Sequence, residues 1–154
     1  MKPINEDVFA ASYAAAAKGL WPRRVEIAAG AVLHRFIDLH RAPVLQAADG
    51  PWWFEYEQFR SIKHFAARHG YSAGYAARLF AAILYEWSEV NAVVRASVKA
   101  PLIASERQPQ VASRMTPMQG PLEVYQLYVP GLGMPHRRFD SMMQLLGHEP
   151  IATG

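Results

Sequence analysis

Apolar positions along the chain fall into two rhythms. Between residues 55 and 69, Phe59, Ile62, Phe65 and Ala66 recur at three- and four-residue steps, which predicts an amphipathic helix. Gly70 stands where a helix stop belongs, and Ser72 can cap a second helix whose buried stripe is Tyr75 or Ala76, Leu79, Ile83 and Trp87. Ser88 restarts or continues that helix through Val90, Val93, Val94 and Val98, until Pro101 ends it. Residues 122–129 follow the other rhythm. They alternate, carry β-branched and aromatic side chains and close on Pro130-Gly131, which predicts a strand.

Elsewhere the pattern admits more than one element. Asn5 ahead of Glu6 and Asp7 reads as an N-cap with an acidic first turn, opening a short helix with Val8, Phe9 and Tyr13 that Gly19 closes. Residues 23–39 fit both periods. Val25, Ala29, Val32, Phe36 and Leu39 make a helical stripe, whereas Leu33, Ile37 and Leu39 share one face of a strand with Arg35 between them. The favoured division is a short helix over residues 23–30 and a strand over 32–39. Asp49-Gly50-Pro51 signals a turn, and Trp52, Trp53 and Phe54 follow as a lid over a core or as a stacking platform. Residues 102–104 read as a short strand, 105–120 as a polar loop, 139–146 as a last helix and 148–154 as a loose tail. The sum is a single α+β domain over residues 1–154, a central helical hairpin with a small β-sheet.

Composition narrows the class. With 154 residues, 51% of them hydrophobic, the chain can bury one ordinary core. It has no cysteine, which excludes disulfides, thiolate zinc sites and cysteine nucleophiles. Glu6 and Asp7 occupy the place of a basic signal-peptide start, and no stretch approaches the ~18 apolar residues of a membrane span. A cytoplasmic protein without membrane contact is expected. Net charge is only +3, but its distribution is uneven. No acidic residue occurs from Gln58 to Tyr85, while Arg60, Lys63, Arg68 and Arg78 lie there with His64 and His69. A second basic stretch runs through Arg95, Lys99, Arg107 and Arg114, opposed by Glu106. Such surpluses are solvated helix faces or surfaces for phosphate.

The hairpin has the physical requirements of a helix-turn-helix: Ala66 for close approach, Gly70 for the turn, Ser72 as cap, and Ala76 and Leu79 as inward contacts. The run from Gly70 through Tyr71, Ser72, Tyr75, Arg78 and Leu79 to Phe80 resembles the helix-turn-helix of AraC-type regulators, over residues 58–84. That resemblance implies a helix in the major groove, with Arg60, Lys63, Arg68, Ser72 and Arg78 as nucleic-acid contacts. The positions that would read bases are Ala73, Gly74 and Ala77, which cannot form bidentate base contacts, so phosphate binding is the more modest expectation. The plain alternative is a helical hairpin whose small residues serve packing.

A second resemblance belongs to another class. ADP-ribosyltransferases carry an arginine on an early strand, an aromatic-and-serine element in the middle, and a glutamate on a late strand that ends in a proline-glycine turn. Arg35 within Val32-Leu33-His34-Arg35-Phe36-Ile37, and Gln126-Leu127-Tyr128-Val129-Pro130-Gly131, are similar to the first and last of these. The resemblance implies that Arg35 holds the pyrophosphate of NAD, with Gln126 standing where the carboxylate belongs and Glu123 three positions earlier. Metal binding is not expected, because His34 and His40 are six apart and His64 and His69 five apart. The leading expectation is therefore a small basic accessory protein that needs no cofactor and binds nucleic acid or a nucleoprotein complex. The alternatives are a protein–protein interaction module, with a second copy of the chain as one candidate partner, and an ADP-ribosyltransferase-like NAD-binding protein.

Overall fold

A computed structural model describes residues 3–9, 20–81, 90–108, 124–133 and 137–152. In chain order its elements are β1 (Leu20–Ile27), β2 (Val32–Ile37), α1 (Val44–Ala48), β3 (Trp52–Glu55), α2 (Tyr56–His69), α3 (Ala73–Ala81), β4 (Ala92–Val98), β5 (Leu102–Gln108), β6 (Gln126–Tyr128), α4 (Phe139–Met142) and β7 (Met143–Pro150). The strands form one antiparallel seven-stranded sheet in the order β1-β5-β6-β3-β2-β4-β7.

The helix α2 forms as its periodicity predicts, burying Phe59, Ile62, Phe65 and Ala66. Gly70 ends it at φ 69°, a left-handed conformation that costs glycine nothing. The Ser72 hydroxyl accepts a 3.1 Å hydrogen bond from the Tyr75 amide, capping α3. Both helices lie on one face of the sheet, where their apolar stripes meet Phe36, Phe54 and Val93. On the opposite face Leu33, Ile37, Trp53, Val94 and Leu127 pack with Ala48, Phe139 and Met142 of α1 and α4. The sheet is thus covered on both sides.

This architecture corrects the expected balance of elements. A small sheet beside a central hairpin becomes a large sheet that the hairpin covers. Residues 23–30, favoured as a helix, lie mostly in β1, and the Trp52-Trp53-Phe54 run is itself strand β3. The supposed helix through Val98 is β4, a strand whose adjacent Val93 and Val94 are buried in opposite cores. Helical and double-faced strand patterns coincide in such a short apolar run. Val90 takes a φ of 51° just ahead of β4, a conformation no regular helix contains. Part of residues 139–146 is helical, but the chain then turns into β7, which includes residues 148–150 of the expected loose tail. The second half of the helix expected over residues 73–87, the loop at 109–120 and the start of the strand at 122–129 lie outside the described residues. Among the described residues no helix is long and apolar enough to cross a membrane.

Candidate functional site

Strand β3 changes partner in the middle. Trp52 and Trp53 pair with Tyr128 and Leu127 of β6, whereas Phe54 and Glu55 pair with His34 and Leu33 of β2. The sheet therefore divides around a four-residue strand, with β1-β5-β6 on one side and β2-β4-β7 on the other. Continuing the register sets Arg35 opposite Trp53, just where β2 parts from β3, and Gln126 opposite Phe54, just where β6 parts from β3. Where strands part, main-chain groups lose their ladder partners and need others.

Arg35 answers part of that need. It alternates with Leu33 and Ile37, so its side chain leaves β2 on the α1 side of the sheet. Its Nε donates to the Ala47 carbonyl at 3.1 Å and its Nη1 to the Trp52 carbonyl at 3.2 Å, the latter spanning the parted strands. Nη2 makes no hydrogen bond among the described residues and lies against Gly50, where a Cβ would stand only 2.1 Å away. Glycine at position 50 is thus a condition of the guanidinium's place. Burial pulls the Arg35 pKa down to about 10, with the nearby Asp49 carboxylate opposing, so the group stays charged at neutral pH.

The late strand reaches the same loop. The Val129 amide donates to the Pro51 carbonyl at 2.8 Å, and the Gly133 amide to the Asp49 carboxylate at 2.7 Å. The Trp53 indole donates to the Gly50 carbonyl at 2.7 Å. The early arginine, the aromatic run and the segment after the late strand, which sequence reading set apart, converge on Gly50. Gln126 is buried and alternates with Leu127, so it leaves β6 toward the α2 side. Arg35 and Gln126 thus flank the split from opposite sides of the sheet.

Two features escaped the sequence. Glu55 ends β3, and its carboxyl is raised in pKa by burial and then by Glu106, to which it is hydrogen-bonded. Glu106 in turn accepts from Arg23 at 2.5 Å. These carboxylates are 51 residues apart (106 − 55), and only the sheet brings them together. The second feature is His34, which is buried on the α2 side and stacked on Phe59 at 4.5 Å, with its Nδ1 lacking a partner among the described residues. Its pKa is lowered to about 4 by burial and by Arg95 and Lys63, against the pull of Glu149. Among the described residues no three His, Asp or Glu side chains group as metal ligands.

The structure distributes the expected nucleic-acid contacts over two helices and the turn between them. Arg60, Lys63 and Arg68 are exposed on α2, Ser72 is occupied as a cap, and Arg78 is buried at 8% exposure within α3.

No protein-family model and no curated protein matches the chain. Two solved structures share the fold. One is described as Rhs1-CT in complex with its cognate immunity protein RhsI1, at 10% identity and a TM-score of 0.53, covering 86% of this chain and 82% of that one. The other is Tne2 in complex with Tni2, at 13% identity and a TM-score of 0.54, covering 86% and 94%. Both are held with a second named component, and the first with a protein. The expectation of a nucleic-acid or nucleoprotein partner read through a DNA-binding helix-turn-helix is corrected accordingly.

Proposed function

We propose that this chain is the harmful half of an effector–immunity pair, an ADP-ribosyltransferase-like domain that consumes NAD and is restrained by a protein partner. The carrying observation is the convergence at the split sheet. Strands β6, β3 and β2, which hold Gln126, the aromatic run and Arg35, are immediate neighbours, and their connecting loops meet at Gly50. The likeness of fold to a domain bound by its cognate immunity protein supports the partner half of the reading.

The residues at the split suit the chemistry. Arg35 keeps a charged guanidinium at the split, and its Nη2 has no hydrogen-bond partner among the described residues, which suits contact with a pyrophosphate oxygen. In the reaction the bond between nicotinamide nitrogen and ribose C1′ breaks, and its electron pair leaves with nicotinamide. The cationic sugar is captured by water or another hydroxyl, whose proton passes to solvent. Gln126 leaves the sheet on the opposite face, so the sugar would be met from the Arg35 side alone. NAD is abundant inside cells, so the proposed site of action is the cytoplasm.

The test is release of nicotinamide from NAD by the purified chain, followed by chromatography. Arg35→Lys preserves the charge and removes the fork, and is expected to slow release about 100-fold while the protein still melts cooperatively. Gln126→Ala, on the opposite face of the sheet, is expected to leave the rate within about twofold. Absence of nicotinamide release by the wild-type chain, together with no thermal shift on adding millimolar NAD, would overturn the proposal.

A further inference from the structure

The α2 side of the sheet carries a feature that the split does not use. Around buried His34 stand three exposed side chains from two elements: Tyr56 at the start of α2, Lys63 about two turns on, and Arg95 of β4. The Tyr56 ring lies 5.8 Å from the imidazole and is 54% exposed. Arg95 pairs with His34 in the sheet, and Lys63 and Arg95 both act electrostatically on the same imidazole, so the two cations share one small area. Neither makes an ion pair among the described residues. Arg95 also lies along the sheet. It pairs with Gly147 of edge strand β7, where a Cβ would stand 3.2 Å from its Nη2, so the guanidinium lies along the glycine. Beside it the register shifts by one residue, and Leu146 at that bulge is 48% exposed.

We infer that this rim of Tyr56, Lys63 and Arg95 is the docking surface for an acidic protein partner. The inference rests on the proposed effector–immunity reading and names the place and charge of the contact. An exposed arginine and an exposed tyrosine are the side chains that dominate protein interfaces, and two cations without ion-pair partners among the described residues suit carboxylates. Exposed Leu146 beside them supplies the apolar component that a protein interface contains. A nucleic-acid backbone fits this rim less well. It needs a longer row of cations than these two.

Fluorescein-labelled poly-glutamate of 20 residues serves as the probe, titrated by anisotropy at about 50 mM salt. The Lys63→Glu/Arg95→Glu double variant is expected to bind at least ~10-fold more weakly than wild type, and the Lys63→Gln/Arg95→Gln pair to fall between them. Arg68→Glu, on the far side of the same helix, is expected to stay within about twofold. Equal loss in Arg68→Glu, no binding by wild type, or equal competition from unlabelled duplex DNA of matched charge would overturn the inference. Nicotinamide release is measured on the same samples. The double variant is expected to keep the wild-type rate, so failure of the catalytic reading and failure of the docking surface give different results.

Discussion

His34 shows how one residue ties stability to pH. An imidazole buried against Phe59 and faced by Lys63 and Arg95 resists protonation, although Glu149 favours it, so its folded pKa falls from 6.5 to about 4. The unfolded chain therefore binds a proton more readily than the folded one between those values. The stability that neutral His34 contributes is complete above about pH 6.5 and is lost as pH falls toward 4. In His34→Phe, which keeps the stacking partner, the melting temperature should lose this part of its pH dependence. Melting curves of both proteins between pH 4 and 7 measure the difference, and parallel curves would refute the assignment. Gly50 makes a second prediction at this scale. A methyl group there must displace the Arg35 guanidinium from the Ala47 and Trp52 carbonyls. Gly50→Ala should cost about 2–3 kcal/mol, or roughly 5–10 °C in melting temperature, as thermal denaturation would report.

At the scale of elements, legibility depended on whether local pattern and tertiary role agreed. Helix α2 was readable to its last turn because one stripe faces the core and Gly70 stops it. Strand β2 was readable in part, since Leu33 and Ile37 alternate with a polar residue between them. Strands β3 and β4 were not, because β3 is a short aromatic run with no polar residue before Glu55, and in β4 the adjacent Val93 and Val94, buried on opposite faces, also fit a helical stripe with Val90 and Val98. Arg35 was legible as a candidate, but the reason for its position, a glycine fifteen residues away that leaves it room, is a tertiary fact. Asn5 stands just ahead of helical residues 6–9, as its pattern predicts, but its side chain serves the sheet. Its side-chain amide donates to the Ile103 and Pro130 carbonyls, and its side-chain carbonyl accepts from the Ile103 amide, all at 2.8 Å. It thus ties strand β5 to the turn after β6. Asn5→Ala leaves two carbonyls and one amide unpaired in the interior, and should lower stability by about 2–4 kcal/mol. A chemical-denaturation midpoint shift with an unchanged slope would identify that loss as one of stability alone.

Across the whole molecule, the question is whether two halves joined by a four-residue strand behave as one. The β3 main chain alone gives few bonds, two pairs of residues to each side. The core argues the other way. One continuous apolar cluster contains Ile27, Leu102 and Ala104 from the β1-β5 side, Leu33, Ile37 and Ala96 from the β2-β4 side, and fully buried Trp53 between them. Separating the halves would expose that cluster on both, so neither half gains by unfolding alone. Trp53 sits at the junction and ought to report the same event as the sheet it joins. Thermal melts followed by tryptophan fluorescence and by far-ultraviolet circular dichroism should therefore coincide. Trp53→Leu, which removes ring volume at the hinge, should lower stability by about 2–4 kcal/mol and separate the two curves if any substitution can. Non-coincident transitions in the wild-type chain would mean instead that β3 is a linker between two independent sheets, and that the split is free to open around Arg35.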